Sequence, residues 1–337
     1  MSATLRVRSG GVLSTVQDLG RSMARRYGVP LSGAMDRFAL EVANRLVANP
    51  PNAAAIEITG GNALFEFLTP TPFALTGADL GATLDGEPLD LWVAVLAHAG
   101  AQLQLLGQRA SWGARAYLSL AGGVDLPELL GSRSTYLPGG FGGLQGRALR
   151  AGDLIATGES TSDPYRLLGQ RWSENTRPDY RAQPALRFLP GPHVDCFTED
   201  ALTTLLAHPF RVSNNSNRMG YRLEGATLRY ARQCSLPSLG VIPGVVQIPP
   251  DGAPILLMAD AQTTGGYPII GVVIELDLPL AAQLLPGDTL TFTLTTREDA
   301  VAARRTFATW RTAMPEEDEA IQIAALAGAL AMDLRRR

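Results

Sequence analysis

The sequence predicts a mainly β protein, built as two related β domains with a few peripheral helices. Three observations carry this reading. Residues 288–295 (DTLTFTLT) alternate strictly, with Leu290, Phe292 and Leu294 on one side and threonines on the other, the period of a half-buried strand. The 337 residues include 35 Gly and 23 Pro, which punctuate short apolar runs as in a barrel or sandwich. A faint internal repeat sets RYGVPLSGA (26–34) against RMGYRLEGA (218–226). Ala78-Asp79 matches Ala259-Asp260, and Gly100 to Leu103 matches Gly287 to Leu290, in the same chain order.

Along the chain, short apolar runs predict strands at 4–8, 64–68, 101–106, 116–121, 185–189, 227–231, 255–259 and 269–274, besides 288–295. Helical patterns occupy 36–48, 198–207, 297–313 and 316–335. Asp36 immediately precedes the first and is placed to cap it. The last opens on Glu316, Glu317, Asp318 and Glu319 and closes on Arg335, Arg336 and Arg337, which complements the helix dipole. Its apolar stripe (Ile323, Ala327, Leu330, Leu334) would pack on the chain's own domain or on a partner. The polar, aperiodic stretch 160–185 marks a boundary. The expected domains are therefore 1–175 and 176–296, followed by C-terminal helices at 297–337.

Composition excludes several functions. A net charge of −3 gives no electrostatic reason to bind nucleic acid. The N-terminus lacks an apolar signal region, and the longest apolar stretch, 323–332, is half the length needed to span a bilayer, so a soluble cytoplasmic protein is expected. Cys196 and Cys234 read as reduced core thiols, with a single bridge as the alternative. All 29 basic residues are Arg and none is Lys. A Walker A phosphate loop and a Schiff base both need a Lys, so neither can form here. Biotin is carried on a Lys amide, so this chain carries no covalent biotin.

The strongest local signal is 255–271, ILLMADAQTTGGYPIIG. An apolar strand delivers Asp260, then Gln262, Thr263 and Thr264, then Gly265 and Gly266, whose amides are free to approach an anion. Asp260 at the strand end can act as general base or hold a substrate amine; the plainer reading is a glycine turn with capping side chains. In 213–225, Asn217, Arg218, Tyr221 and Arg222 surround Gly220, and Arg218 can fork onto a carboxylate or phosphate. Alternatively this is a polar hairpin. Arg133 and Ser134 lie in the glycine-dense loop 131–143, which can wrap an anion or simply move. Asp18 and Arg21 can pair with each other. Asp79 ends a strand in the position corresponding to Asp260. Three scattered histidines, His98, His193 and His208, show no metal-ligand spacing, and no G-x-S-x-G elbow is present.

Six motifs in order, TVQDLGR, GVPLSGAMD, IEITGG to LTGAD, YLSLAGGVDLPELLGSRSTY, SNRMGYRLEG and LMADAQTTGGYP, resemble the biotin-dependent carboxyltransferase family over residues 4–310. Its members include allophanate hydrolase subunit 2, the KipI antagonist and the C subunit of 5-oxoprolinase. The resemblance implies tandem cyclophilin-like β-barrels and a KipI-like partner (the B subunit). In 5-oxoprolinase a third, LamB/YcsF-like protein (the A subunit) joins, and 5-oxo-L-proline is opened to L-glutamate with ATP hydrolysis, the nucleotide being handled by the complex. On this basis Asp260, Gln262, Thr263 and Thr264 are expected to be catalytic. Arg218, Asn217, Tyr221, Gly265, Gly266, Arg133, Ser134 and Asp79 are expected to contact substrate. The family's other activities set the rivals: half of a biotin-dependent, urea-type carboxyltransferase, or a non-enzymatic antagonist of a kinase inhibitor.

Overall fold

Short runs that alternate or stay wholly apolar dominate the chain, and strands dominate the fold. A computed structural model describes residues 3–317 except 110, 111, 161, 233 and 235. In the first half, two antiparallel sheets face each other. One runs in the order Leu154–Ile155, Leu5–Gly10, Ala63–Phe67, Gln102–Leu105, Ala82–Leu84, Glu87–Pro88, and the other in the order Leu13–Gln17, Ala55–Thr59, Arg115–Leu120, Thr71–Gly77, Ala94–Ala97. Between them lies a core that includes Val7, Ile56, Phe65, Phe67, Phe73, Leu103 and Leu118. Every residue of Thr71–Gly77 is buried, because this strand is covered on its second face as well.

That second cover is α1 (Arg37–Leu46). Asp36 caps it as expected, accepting from the Ala39 amide at 3.0 Å. Phe38, Val42 and Leu46 pack its apolar face into a second core with Ala74, Tyr117 and Trp172. The polar stretch expected to be a boundary holds α2 (Pro164–Leu167) and the pair Gln170–Arg171. It is anchored by Trp172, which is fully buried.

In the second half, seven strands close a barrel in the order Ala185–Pro190, Ile269–Val273, Val245–Gln247, Ile255–Leu257, Gly220–Glu224, Phe210–Val212, Thr289–Leu294. The parallel register Leu186 to Phe292 completes the circle. The alternation at 288–295 is realised for Leu290 and Phe292, which are buried in the barrel core with the threonines outside it, whereas Leu294, expected beside them, is exposed. The helices here are α3 (Glu199–Ala207), α4 (Leu278–Ala282) and α5 (Arg297–Thr312). α5 leaves the barrel and returns to the first half. Phe307 stacks on Phe38 with ring centroids 5.7 Å apart, and Arg311 forks onto Glu41 of α1 with both bonds at 2.6 Å.

Four expectations are corrected. Cys196 and Cys234 form a disulfide with Cα atoms 6.0 Å apart. Their segments are brought together by the Ala231 amide on the Cys196 carbonyl and by a Phe197–Tyr230 bridge. Residues 227–231 are not a strand: Leu228 donates to Gly252 and Tyr230 makes only that isolated bridge, so no ladder forms. Glu316 and Glu317 do not open a helix but pair with Arg171 and Gln170; the remainder of the 316–335 prediction lies outside the described residues. The repeated nonapeptides also differ in conformation, since 220–224 is strand while 26–34 runs from a 3₁₀ turn into a loop.

Candidate functional site between the two β halves

The strand Ala55–Thr59 reads AIEIT, with a single charge, Glu57, that is 1% exposed. Its Oε2 accepts from the Met35 amide and the Tyr117 hydroxyl, each at 2.8 Å, and its Oε1 accepts from Arg218 Nη1. Arg218 comes from the other half. There Asn217 accepts from the Met219 amide at 2.8 Å and bridges to Gly220, so the hairpin turn aims the guanidinium inward. Its Nε and Nη2 reach the two oxygens of Asp260 at 3.0 and 3.2 Å, and Nη2 also donates to the Gly33 carbonyl.

One guanidinium thus joins carboxylates from both halves, and Arg115, with Nε 3.9 Å from Glu57, supplies the balancing charge. Buried charges persist only when paired and hydrogen-bonded in this way. The network extends further across the junction. Arg115 donates to the Tyr221 hydroxyl at 3.0 Å, and Gln283 Oε1 accepts from the Arg115 amide at 2.9 Å. Gln283 and Tyr180 both donate to Asp36 at 2.8 Å. Burial pushes the Asp36 carboxyl up to about 6, with those hydrogen bonds opposing the rise and the Glu57 charge adding to it. For Arg218, burial opposes the charge, but Asp260 and Glu57 outweigh it and raise the guanidinium above its ordinary value.

Asp260, Arg218 and Tyr221 are therefore brought together with the first half, but inside it. They are 0%, 6% and 2% exposed. Arg218 and Asp260 hold each other and the Tyr221 hydroxyl is held by Arg115, so all three sit at the junction rather than lining an open cleft, unlike the catalytic role expected of Asp260 and the substrate contacts expected of Arg218 and Tyr221.

Beside this network a groove of 810 Å³ opens between residues 19–37 and the barrel. Leu31, Met35, Met258, Val272 and Phe307 supply apolar walls, and Arg25, Arg37, Arg297, Arg304 and Arg311 supply cations against one carboxylate, Glu275. The segment 31–36 serves both features: the Gly33 carbonyl and Met35 amide face the network, while Leu31, Ser32 and Ala34 line the groove. Its tight course needs Gly33, whose φ is +85° and where a Cβ would lie 2.7 Å from the Gly20 amide nitrogen. Ser32 is left-handed too, at φ +56°, and its buried Oγ has no partner among the described residues.

The remaining predicted residues are dispersed. Thr264 and Gly265 form a two-residue ribbon with Leu239 and Gly240; the Thr263 carbonyl accepts from the Val241 amide at 3.0 Å. Gln262 reaches Gln247 at 3.5 Å, a Cβ on Gly265 would meet Gln247 Nε2 at 2.6 Å, and Gly266 is exposed. The loop 131–143 does wrap an anion, but it is the chain's own Asp18. That carboxylate accepts from Ser132 Oγ at 2.7 Å, the Arg133 amide at 2.6 Å, the Gly20 amide at 2.8 Å, and Ser134 Oγ. Arg21 donates instead to the Ser134 carbonyl, and Arg133 is held by Glu128 and the Leu126 carbonyl, both at 2.6 Å. Asp79 accepts from the Gly81 amide at 2.8 Å in a local turn. Sequence patterning missed Glu57, Arg115, Tyr117 and Gln283. The available signal was a lone carboxylate inside AIEIT and a lone guanidinium opening RAYLSL.

The family described as carboxyltransferase domain, subdomain A and B, matches residues 27–294. The chain is 41% identical over 304 residues to the 5-oxoprolinase C subunit of Escherichia coli K12, covering 89% of this chain and 94% of that protein. It is 37% identical over 292 residues to the 5-oxoprolinase C subunit of Haemophilus influenzae, covering 87% and 91%. Among solved structures it is similar to the urea amidolyase of K. lactis at TM-score 0.83 and 28% identity, covering 95% of this chain and 20% of that longer one.

Proposed function

The chain belongs to the carboxyltransferase-domain family of subdomains A and B, and from that membership we propose that it is the C subunit of an ATP-dependent 5-oxoprolinase. The observation that carries this is coverage: the match runs over 94% of the E. coli C subunit, whereas in the urea amidolyase it occupies 20% of a longer chain. The reaction consumes 5-oxo-L-proline, ATP and two waters and yields L-glutamate, ADP and phosphate. The lactam C–N bond breaks, water supplies the carboxylate oxygen, and the ring nitrogen leaves as the protonated amine. A lactam is a poor electrophile, and transfer of phosphate to its oxygen would activate the carbon for attack.

In this reading the chain works with a KipI-like B subunit and a LamB/YcsF-like A subunit. Its contribution is the groove and the ribbon carrying Gln262, Thr263 and Thr264, with Gly265 and Gly266 allowing close approach. The Glu57–Arg218–Asp260 network stands behind the groove and fixes its two walls. The test is 5-oxoproline-dependent ATP hydrolysis and glutamate release with all three proteins, against each omission. Turnover that requires all three supports the reading; no turnover from folded, associated proteins overturns it.

The backbone similarity to urea amidolyase favours one second reading, half of a biotin-dependent carboxyltransferase. In that case the complex would move the carboxyl group from carboxybiotin, carried on a separate protein, to the nitrogen of a urea-like acceptor, leaving uncarboxylated biotin on the carrier, and avidin would stop the reaction. An avidin-insensitive, bicarbonate-independent reaction rejects it.

A further inference from the structure

The groove differs in size and charge from what a five-membered lactam needs. At 810 Å³ it lies in the range of about 300–1,000 Å³ that accommodates larger, drug-sized ligands. Its cations are also in excess. Arg311 is committed to Glu41, and both Arg304 and Arg311 lie near Glu275, at 3.6 and 3.7 Å. Arg25, Arg37 and Arg297 have no carboxylate at ion-pair distance among the described residues. Arg25 spends Nη2 on the Val241 carbonyl and leaves a buried Nη1 without an acceptor. Ser32 Oγ, on a side chain 2% exposed and held at a left-handed φ, is likewise unsatisfied. Unsatisfied buried donors are costly and call for a missing acceptor. Burial lowers the Arg25 and Arg37 guanidinium pKa values, an effect that a bound polyanion would oppose.

We propose that this groove binds a nucleoside polyphosphate, with the base against Met258, Val272 and Phe307 and the phosphates on the arginines of the 19–37 segment and of α5. Arginine suits this role because its planar fork binds phosphate oxygens in pairs, and a chain without Lys has no other permanent cation to offer. An apolar peptide would leave the excess cations unused, and a small dicarboxylate would leave the apolar walls open. The identification of the nucleotide as ATP rests on the 5-oxoprolinase reading; the charge and shape of the site do not.

The test measures binding of a fluorescent ATP analogue, MANT-ATP, to the full chain in Mg²⁺ buffer, and ATP dependence in the three-protein complex. Three variants at exposed positions of α5 or the barrel leave the core untouched: the double variant Arg297→Glu/Arg304→Glu, the groove-filling Val301→Trp, and the distant control Arg229→Glu. The expected result is saturable binding, weakened by about tenfold or more in the first two, which corresponds to about 1.4 kcal/mol, and unchanged in the control. Unlabelled ATP should compete and inorganic phosphate should compete weakly. No saturable binding, or equal affinity in all variants, overturns the proposal. Loss of binding to the KipI-like protein in the groove variants, with nucleotide affinity unchanged, also overturns it in favour of a protein-docking groove. Turnover of 5-oxoproline by the complex without nucleotide binding to this chain would sink the groove assignment and leave the 5-oxoprolinase reading standing. Nucleotide binding without such turnover would do the reverse.

Discussion

Asp36 holds two elements at once. One oxygen caps α1 through the Ala39 amide; the other receives Gln283 and Tyr180 across the junction. Its carboxyl is raised to about 6 mainly by burial, so the folded state binds the proton more tightly than the unfolded chain does. Its contribution to stability is therefore fully present below the ordinary carboxylate pKa of about 4 and is lost as pH rises toward 6. Denaturant titrations across pH 4–6 should show stability falling more steeply with pH in the wild type than in Asp36→Asn; parallel slopes would refute the assignment. The capping role was legible, because Asp36 stands directly before an apolar helical period. Its bond to Gln283, 247 residues further on, was not, since nothing local to either residue announces the other. The same holds for Asp260, where sequence marked a strand-end carboxylate but could not show that Arg218 and burial had already claimed it.

Among the elements, the segment after Gly220–Glu224 shows how a pattern can mislead. Leu228 and Tyr230 sit two apart, as in a strand, yet the Leu228 amide goes to Gly252, the Arg229 carbonyl and Ala231 amide go to Thr198 and Cys196, and Cys234 is tied to Cys196. Closing a loop of 38 residues restricts the unfolded chain, and such a link is worth about 2–4 kcal/mol. Cys234→Ser should lower the melting temperature, and dithiothreitol should bring the wild type down to the same value. Identical melting of oxidised, reduced and variant protein would show that the bridge contributes nothing. The strand at 288–295 was legible because one face is buried and one is not. Thr71–Gly77, buried throughout, loses that alternation and was missed, whereas the equally buried Arg115–Leu120 was found as an apolar run.

At the scale of the whole molecule, the two halves meet through buried charge as well as through apolar contacts such as Phe307 on Phe38. Each half keeps its own apolar core, while Glu57, Arg218, Asp260 and Arg115 bridge them. Removing one member leaves buried charge without its partner, which typically costs about 3–5 kcal/mol. Arg218→Ala is expected to lose that much in equilibrium unfolding and to separate one calorimetric transition into two. A single transition with stability unchanged would show that the halves are coupled by other contacts. The mainly β class was readable from period and turn residues, which left barrel and sandwich open; the barrel came from the family resemblance. The junction was not readable, because it depends on long-range pairings between residues whose immediate neighbours are unremarkable.

The last described residues have a further consequence. After α5 stacks Phe307 on Phe38, Glu316 and Glu317 return to pair with Arg171 and Gln170, within the very stretch that joins the halves. The polypeptide is buckled like a belt, its last described residues fastened over its own middle. A protease that nicked the connection near residue 182, between the two sides of that clasp, would therefore release no fragment. The two pieces should co-elute in native chromatography and come apart only in denaturant, so an intact elution profile would say nothing about whether the connection had been cut.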